Sequence, residues 1–169
     1  MALIVEDGSG VTNADSYVSR ADYIAFALTL GVTIADADAA DVELRTAAQY
    51  IDQHEPNMKG TRVTRDQYMA FPRYNVVIDD WSWLHTELPR QLTTAQMLFA
   101  LDVHAGVDLW NQPVNPALAK KSSRVEGAVT VAYAVKDGVQ KVGRTSKAEA
   151  HLAQLLRNNG VASISLVRR

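Results

Sequence analysis

The sequence predicts a mainly α fold, a small helical bundle of about four helices with an inserted β-hairpin and an extended C-terminal tail. Three observations predict it. Apolar residues recur at helical spacing in four separate stretches, a two-residue alternation runs through residues 128–135, and the final nine residues alternate again with nothing after them to pair with. With 169 residues, 47% of them hydrophobic, the chain is long enough for one compact domain with a real core and too short for two comfortable ones. The division expected is a helical domain over 1–160, with its hairpin near 122–135, and a C-terminal arm over 161–169.

After an irregular N-terminal stretch, Ser19 with Asp22 three residues later resembles a helix cap, and Tyr23, Phe26, Ala27 and Leu30 follow at helical spacing. This predicts a first helix from about Arg20 to Leu30, ended by Gly31. A second helix starts near the Asp38 to Asp41 cluster, whose carboxylates suit a helix N-terminus, and carries Leu44, Ala47, Ala48 and Ile51 on one stripe before Pro56. Thr64 as a cap and Pro72 as a stop predict a short helical turn from about Thr64 to Ala70. The stretch RYNVVIDDWSWLHTE reads as irregular. Pro89 opens a long helix to about Trp110, with Leu92, Ala95, Phe99 and Val103 on its stripe and Met97, Leu98, Ala100 and Leu101 widening it.

NQPVNPALAKKSS, with two prolines, reads as a linker. Beyond it, Ser122–Val125 and the alternating run from Ala128 to Val135, joined at Glu126-Gly127, predict the hairpin. The last helix opens on a Ser146-to-Glu149 capping box, buries Ala148, Leu152, Leu155 and Leu156, and ends at Asn159-Gly160. The remaining VASISLVRR is an unpaired strand of the kind that can dock on a partner's sheet edge.

The absence of cysteine removes disulfides, thiolate nucleophiles and Cys-based zinc sites, and fits a reducing compartment. MALIVEDGSG lacks the basic start and long apolar run of a secretory signal, and no stretch approaches the roughly 20 apolar residues of a membrane helix. A soluble protein made in the cytoplasm, without membrane contact, is expected. The net charge of −2 is unevenly spread: residues 1–112 hold 7 Lys and Arg against 16 Asp and Glu, and residues 113–169 hold 10 against 3. Such a division suits nucleic-acid contact by the basic part, complementary surfaces on neighbouring subunits, or two differently solvated faces.

Little in the chain points to chemistry. His54, His85, His104 and His151 are scattered outside any metal-binding pattern, and Asp102 and His104, two apart on a helix, point in different directions. DGSG reads as a turn, and Asp79-Asp80 beside Trp81 and Trp83 as an exposed loop. No catalytic, cofactor-binding or metal-binding residues are assigned, and the protein is not expected to be an enzyme. Lys59, Arg62, Arg65 and Arg73 near Tyr68, Phe71 and Tyr74 have the composition of a single-strand grip, cations for phosphates and rings for bases. The favoured alternative is a corner, with Tyr68 and Phe71 packed inward and Arg62 and Arg73 bridging to acidic neighbours.

VEDGSGVTNADSYVS, AAQYID, and Gly60, Arg62, Thr64, Gln67, Phe71, Pro72 and Arg73 in that order resemble a family of tailed-phage proteins labelled DnaT-like single-stranded DNA-binding proteins. That family occurs among head and neck proteins. SSRVEGAVTVAY, Ser122 to Tyr133, is similar to the hairpin of phage head-tail connector (adaptor) proteins. The resemblance implies a structural virion protein of the neck, assembled in the host cytoplasm. It would form a ring, commonly twelvefold, beneath the portal protein, contact a stopper or tail-completion protein below, and pass the double-stranded genome without sequence-specific contact. Val161, Ile164, Leu166, Arg168 and Arg169 would be the portal-docking arm, and Lys120, Lys121 and Arg124 neighbour-facing or channel-facing cations. Between the adaptor and a DnaT-like replication accessory protein, the acidic N-terminal part favours the adaptor, since a ring subunit needs complementary faces and a DNA-binding face needs to be basic.

Overall fold

The computed structural model describes residues 3–110 and 146–157. Four helices account for most of them: α1 (Arg20–Thr29), α2 (Ala37–Asp52), α3 (Arg90–His104) and α4 (Lys147–Leu155). Two small antiparallel pairs accompany them. β1 (Thr61–Arg62) pairs with β2 (Arg73–Tyr74), and β3 (Val76–Ile78) pairs with β4 (Trp81–Trp83). The mainly helical class read from the sequence is the one observed. The expected hairpin at 122–135, the cations Lys120, Lys121 and Arg124, and the arm residues Val161, Ile164, Leu166, Arg168 and Arg169 lie outside the described residues.

The helix starts follow capping chemistry. Ser19 accepts from the Asp22 amide, Asp36 from the Asp38 and Ala39 amides, and Ser146 forms a reciprocal capping box with Glu149. α2 therefore begins earlier than the Asp38–Asp41 cluster suggests, with Asp36 as its cap. Pro89 stands at the N-cap of α3, which ends at His104 rather than near Trp110. α4 stops at Leu155, because Leu156 leaves the helix to bridge Met58, and the Arg157 amide donates to the Asn57 carbonyl at 2.7 Å.

α3 lies between α2 and α4, and α1 packs on α2. Leu44, Ala47 and Ile51 from α2 meet Leu92, Ala95 and Phe99 from α3 and Ala148, Leu152 and Leu155 from α4, while Tyr23 and Ala27 close the α1 side. Leu30, counted on the α1 stripe by spacing, is exposed because the helix ends beneath it at Gly31. Arg20 also ties α1 to α2, its Nε donating to Asp41 at 2.7 Å, and this ion pair holds the Asp41 carboxyl below its ordinary range. One polar node sits inside: fully buried Gln96 of α3 accepts from the Tyr17 amide at 2.9 Å and donates to Ser16 Oγ and the Leu44 carbonyl. It satisfies groups that burial would otherwise penalise by about 1–3 kcal/mol each.

Two readings of the sequence need correction. Residues 64–70 form no helical turn, because the side chain of Gln67, rather than the backbone, takes up the amides of Val63 and Thr64. The stretch read as irregular, RYNVVIDDWSWLHTE, contains β2 and the β3–β4 hairpin. Its two-residue loop is Asp79-Asp80, with φ of 50° and 65°, as the twist of a tight hairpin requires.

Candidate functional site

The residues of the spacing G-x-R-x-T-x-x-Q-x-x-x-F-P-R come together in one corner between α2 and β3. Gly60 opens it with a φ of 75°, and a Cβ there would stand 2.2 Å from the Tyr74 carbonyl oxygen, so only glycine lets β1 and β2 meet. Gln67 is the hub of the loop between them. Its Oε1 accepts from the Val63 and Thr64 amides at 3.0 and 3.2 Å, and its Nε2 donates to the carbonyls of Met69 and Pro72 at 2.8 and 3.0 Å. Thr64 contributes this backbone amide while its side chain is exposed. Phe71 is buried and precedes Pro72 through a cis peptide bond. Tyr68, expected to pack inward, is instead 60% exposed, since the loop is fastened by Gln67 and Phe71 and leaves Tyr68 on the outside.

The two motif arginines converge on Glu55, in the 3-10 turn Glu55–Asn57 that follows α2. Arg62 engages the Glu55 carboxylate through Nε and through Nη2 at 2.6 Å, and its Nη1 donates to the Arg65 and Gln67 carbonyls. Arg73, with only 6% of its side chain exposed, donates to Glu55, to the carbonyls of Lys59 and Ala70, and to Gly60 O at 3.1 Å. Hydrogen bonds from Arg62 hold the Glu55 carboxyl below its usual range, and burial lowers the Arg73 guanidinium. Arg157, far beyond Arg73 in the sequence, reaches the same place: its Nη2 donates to Gly60 O at 3.0 Å. Nothing in the sequence spacing links Arg157 to this corner; the return of the chain after α4 puts it there.

Beneath the corner lies Asp52, the last residue of α2. It accepts the Tyr17 hydroxyl, and burial pushes its carboxyl up to about 6. The N-terminal stretch that carries Tyr17 is folded on itself by Glu6, which is buried and accepts from the Gly8, Gly10 and Val11 amides at 2.8–2.9 Å. The VEDGSG segment is thus a carboxylate-centred loop within the N-terminal stretch that delivers Tyr17.

Arg62 and Arg73 therefore meet at the Glu55 carboxylate, and Arg73 and Arg157 meet at the Gly60 carbonyl. On the solvent side, Arg62 keeps 35% of its side chain exposed, Arg65 is exposed with Asp66 at 3.9 Å, and Arg157 and Tyr68 are exposed. Tyr74 pairs with Thr61 and so occupies the opposite face of β1–β2, where its ring meets His85 at 4.5 Å. The rest of the described body is acidic. Residues 3–110 and 146–157 hold 9 Lys and Arg against 17 Asp and Glu, a balance of −8, while the other residues of the chain carry +6.

Two of the histidines serve hydrogen bonding. His54 Nδ1 lies 2.9 Å from the Tyr50 carbonyl, and His104 lies 2.8 Å from Glu43, which also accepts from the Tyr23 hydroxyl. Among the described residues, no group of three or more His, Asp or Glu is placed to hold a metal ion, and no helix is long and apolar enough to cross a membrane.

No curated protein and no solved structure matches the chain. One family model does, over residues 1–169, which is the whole sequence: the chain belongs to the family described as "Putative DnaT-like ssDNA binding protein".

Proposed function

We propose that this protein binds single-stranded DNA on the solvent side of the 59–74 corner. The observation that carries the reading is the meeting of Arg62, Arg73 and Arg157 at Glu55 and Gly60, a cationic spot in an acidic body, in a chain whose family is named for that activity. Arg73 is spent on holding the corner and acts through its field alone. Phosphates would meet Arg65, Arg157 and the outer edge of Arg62, with Tyr68 as a stacking surface for a base. Three such contacts on a single strand give a logarithmic salt slope of about −2, a loss of about twentyfold between about 50 and about 200 mM salt. Fluorescence anisotropy with an oligothymidylate tests this. The variant R65Q/R157Q, whose side chains lie on the surface, should bind more weakly and with a shallower slope. Absence of affinity at low salt overturns the reading.

A second reading, the neck adaptor, is favoured by the charge division between the acidic body and the basic remainder of the chain. Copies of this subunit would close into a twelvefold ring by head-to-tail contacts between unlike faces, with the portal protein above, a stopper or tail-completion protein below and the genome passing through. On this reading it is a non-enzymatic virion component, assembled in the host cytoplasm, with residues 161–169 on the portal. Electron microscopy of the protein mixed with its portal tests it: ring density beneath the portal supports it, and failure to associate counts against it.

A further inference from the structure

The corner holds two carboxylates that their surroundings treat in opposite ways. Glu55 faces Arg62 and Arg73, whose hydrogen bonds and charges keep it ionised. Asp52, at the end of α2, is part-buried, and the loss of solvent favours its protonated form. Four other segments face it. The Tyr17 hydroxyl of the N-terminal stretch, the Ala70 amide of the loop and Arg62 of β1 favour the ionised form, while Glu55 of the 3-10 turn opposes it. His54, two residues on, is turned to the Tyr50 carbonyl at 2.9 Å. Of the pair, Asp52 is the carboxylate that changes charge close to neutral pH, at about 6.

A proton added at Asp52 changes the charge and leaves the contact in place. Burial holds the Tyr17 phenol well above its ordinary range, so its hydroxyl stays a donor, and a neutral carboxyl still accepts it through the carbonyl oxygen. The same hydroxyl accepts from the Phe71 amide, so the loop keeps its seat. What changes is the field at Arg62, which feels both Asp52 and Glu55. With Asp52 neutral, one carboxylate rather than two offsets the guanidinium groups of Arg62 and Arg73. The exposed edge of Arg62 then presents more net positive charge to solvent.

We infer that Asp52 is a proton-linked control of single-stranded DNA binding at this corner: uptake of a proton tightens binding, and bound phosphates favour the proton by reciprocity. The inference rests on the DNA-binding reading of the corner given above.

Oligothymidylate, whose bases stay neutral across the range, is the probe. Between about pH 7.5 and about pH 5 at low salt, the parent should gain about fivefold more affinity than D52N, because the asparagine amide keeps the Tyr17 contact without a charge. The two should converge at the acid end, with D52N the tighter binder at the alkaline end. The histidines are common to both proteins and cancel in the comparison. Calorimetry near pH 6.5, in buffers of different ionisation enthalpy, should show proton uptake on binding by the parent that D52N lacks. Y17F supplies a second arm. Loss of the phenol hydroxyl removes a group that favours the charged form of Asp52, so tightening should begin at higher pH. Equal pH profiles and equal proton uptake in parent and D52N overturn the inference and leave DNA binding standing; where D52N fails to fold, an unmoved Y17F profile does the same. Absence of binding by parent and variants at low salt, even at the acid end, overturns the DNA-binding reading and this inference together.

Discussion

The Tyr17 hydroxyl donates to the Asp52 carboxylate and accepts from the Phe71 amide at 3.3 Å, so one phenol joins the N-terminal stretch, the end of α2 and the corner. The Tyr17 and Phe71 rings also meet edge to face, 6.5 Å apart. Burial, more than the nearby Asp52, raises the Tyr17 phenol well above its ordinary range. The corner is therefore assembled on a buried polar contact.

That contact predicts a pH dependence. Asp52 ionises near 3.8 when unfolded and near 6 when folded, so the folded chain holds its proton more tightly. Stability falls as pH rises from about 4 to about 6, then levels off. The side-chain amide of the D52N variant can still accept from Tyr17 and never ionises. D52N should match the parent below about pH 4 and exceed it by about 3 kcal/mol above pH 6. Urea unfolding across that range checks this; a difference independent of pH would refute it.

Glu55 gives the opposite sign. Its carboxyl is held low by Arg62 and Arg73, so its contribution is present above its ordinary value of 4.5 and lost as pH falls through the lowered one. E55Q should cost about 2 kcal/mol at neutral pH, mostly because Arg73 is left buried without its counter-charge, and the deficit should shrink in acid. If the corner binds DNA, the same substitution should tighten binding at low salt, because it removes the negative charge that Arg62 and Arg73 share. Loss of stability without tighter binding would separate the fold's use of Glu55 from the proposed function.

What was legible in the sequence follows physical range. α2 and α4 were readable because their caps and stripes lie within a few residues of one another, and Leu44, Ala47, Ala48, Ile51, Leu152 and Leu155 are all buried. The β3–β4 hairpin was readable in principle: Val76-Val77-Ile78 and Trp81-Ser82-Trp83 are separated by two residues, but Asp-Asp lacks the glycine that usually announces such a turn. Tyr68 and Phe71 could not be told apart by type, since which one is buried depends on Gln67 fastening the loop. Arg157 was out of reach, because only the path of the chain after α4 brings it to Gly60.

Gln67 should be among the costliest polar residues to lose. Q67A strands the Val63 and Thr64 amides and the Met69 and Pro72 carbonyls, some of them where water enters poorly. A loss of about 2 to 4 kcal/mol is expected, against about 0.5 kcal/mol or less for T64A, whose side chain is exposed. Chemical denaturation midpoints of the two variants test the contrast, and equal costs would remove Gln67 as the hub.

The two glycines Gly60 and Gly31 separate backbone strain from steric contact. Both have φ near +75°, at 75° and 77°, and both ask a β-carbon to accept a left-handed backbone. At Gly31, which ends α1, that carbon would find open space, so G31A should cost about 1 kcal/mol. At Gly60 it would stand 2.2 Å from the Tyr74 carbonyl oxygen and 3.0 Å from Val76 Cγ2. Relief requires β1 and β2 to part, which also disturbs the Gly60 carbonyl that receives Arg73 and Arg157. G60A should therefore cost at least about 3 kcal/mol and expose the corner to proteolysis, while G31A leaves it resistant. Limited proteolysis with mapping of the first cuts reads this directly. First cuts between residues 59 and 75 in G60A alone are the expected result, and identical patterns in the two variants would mean that the close approach at Gly60 does not hold the corner shut.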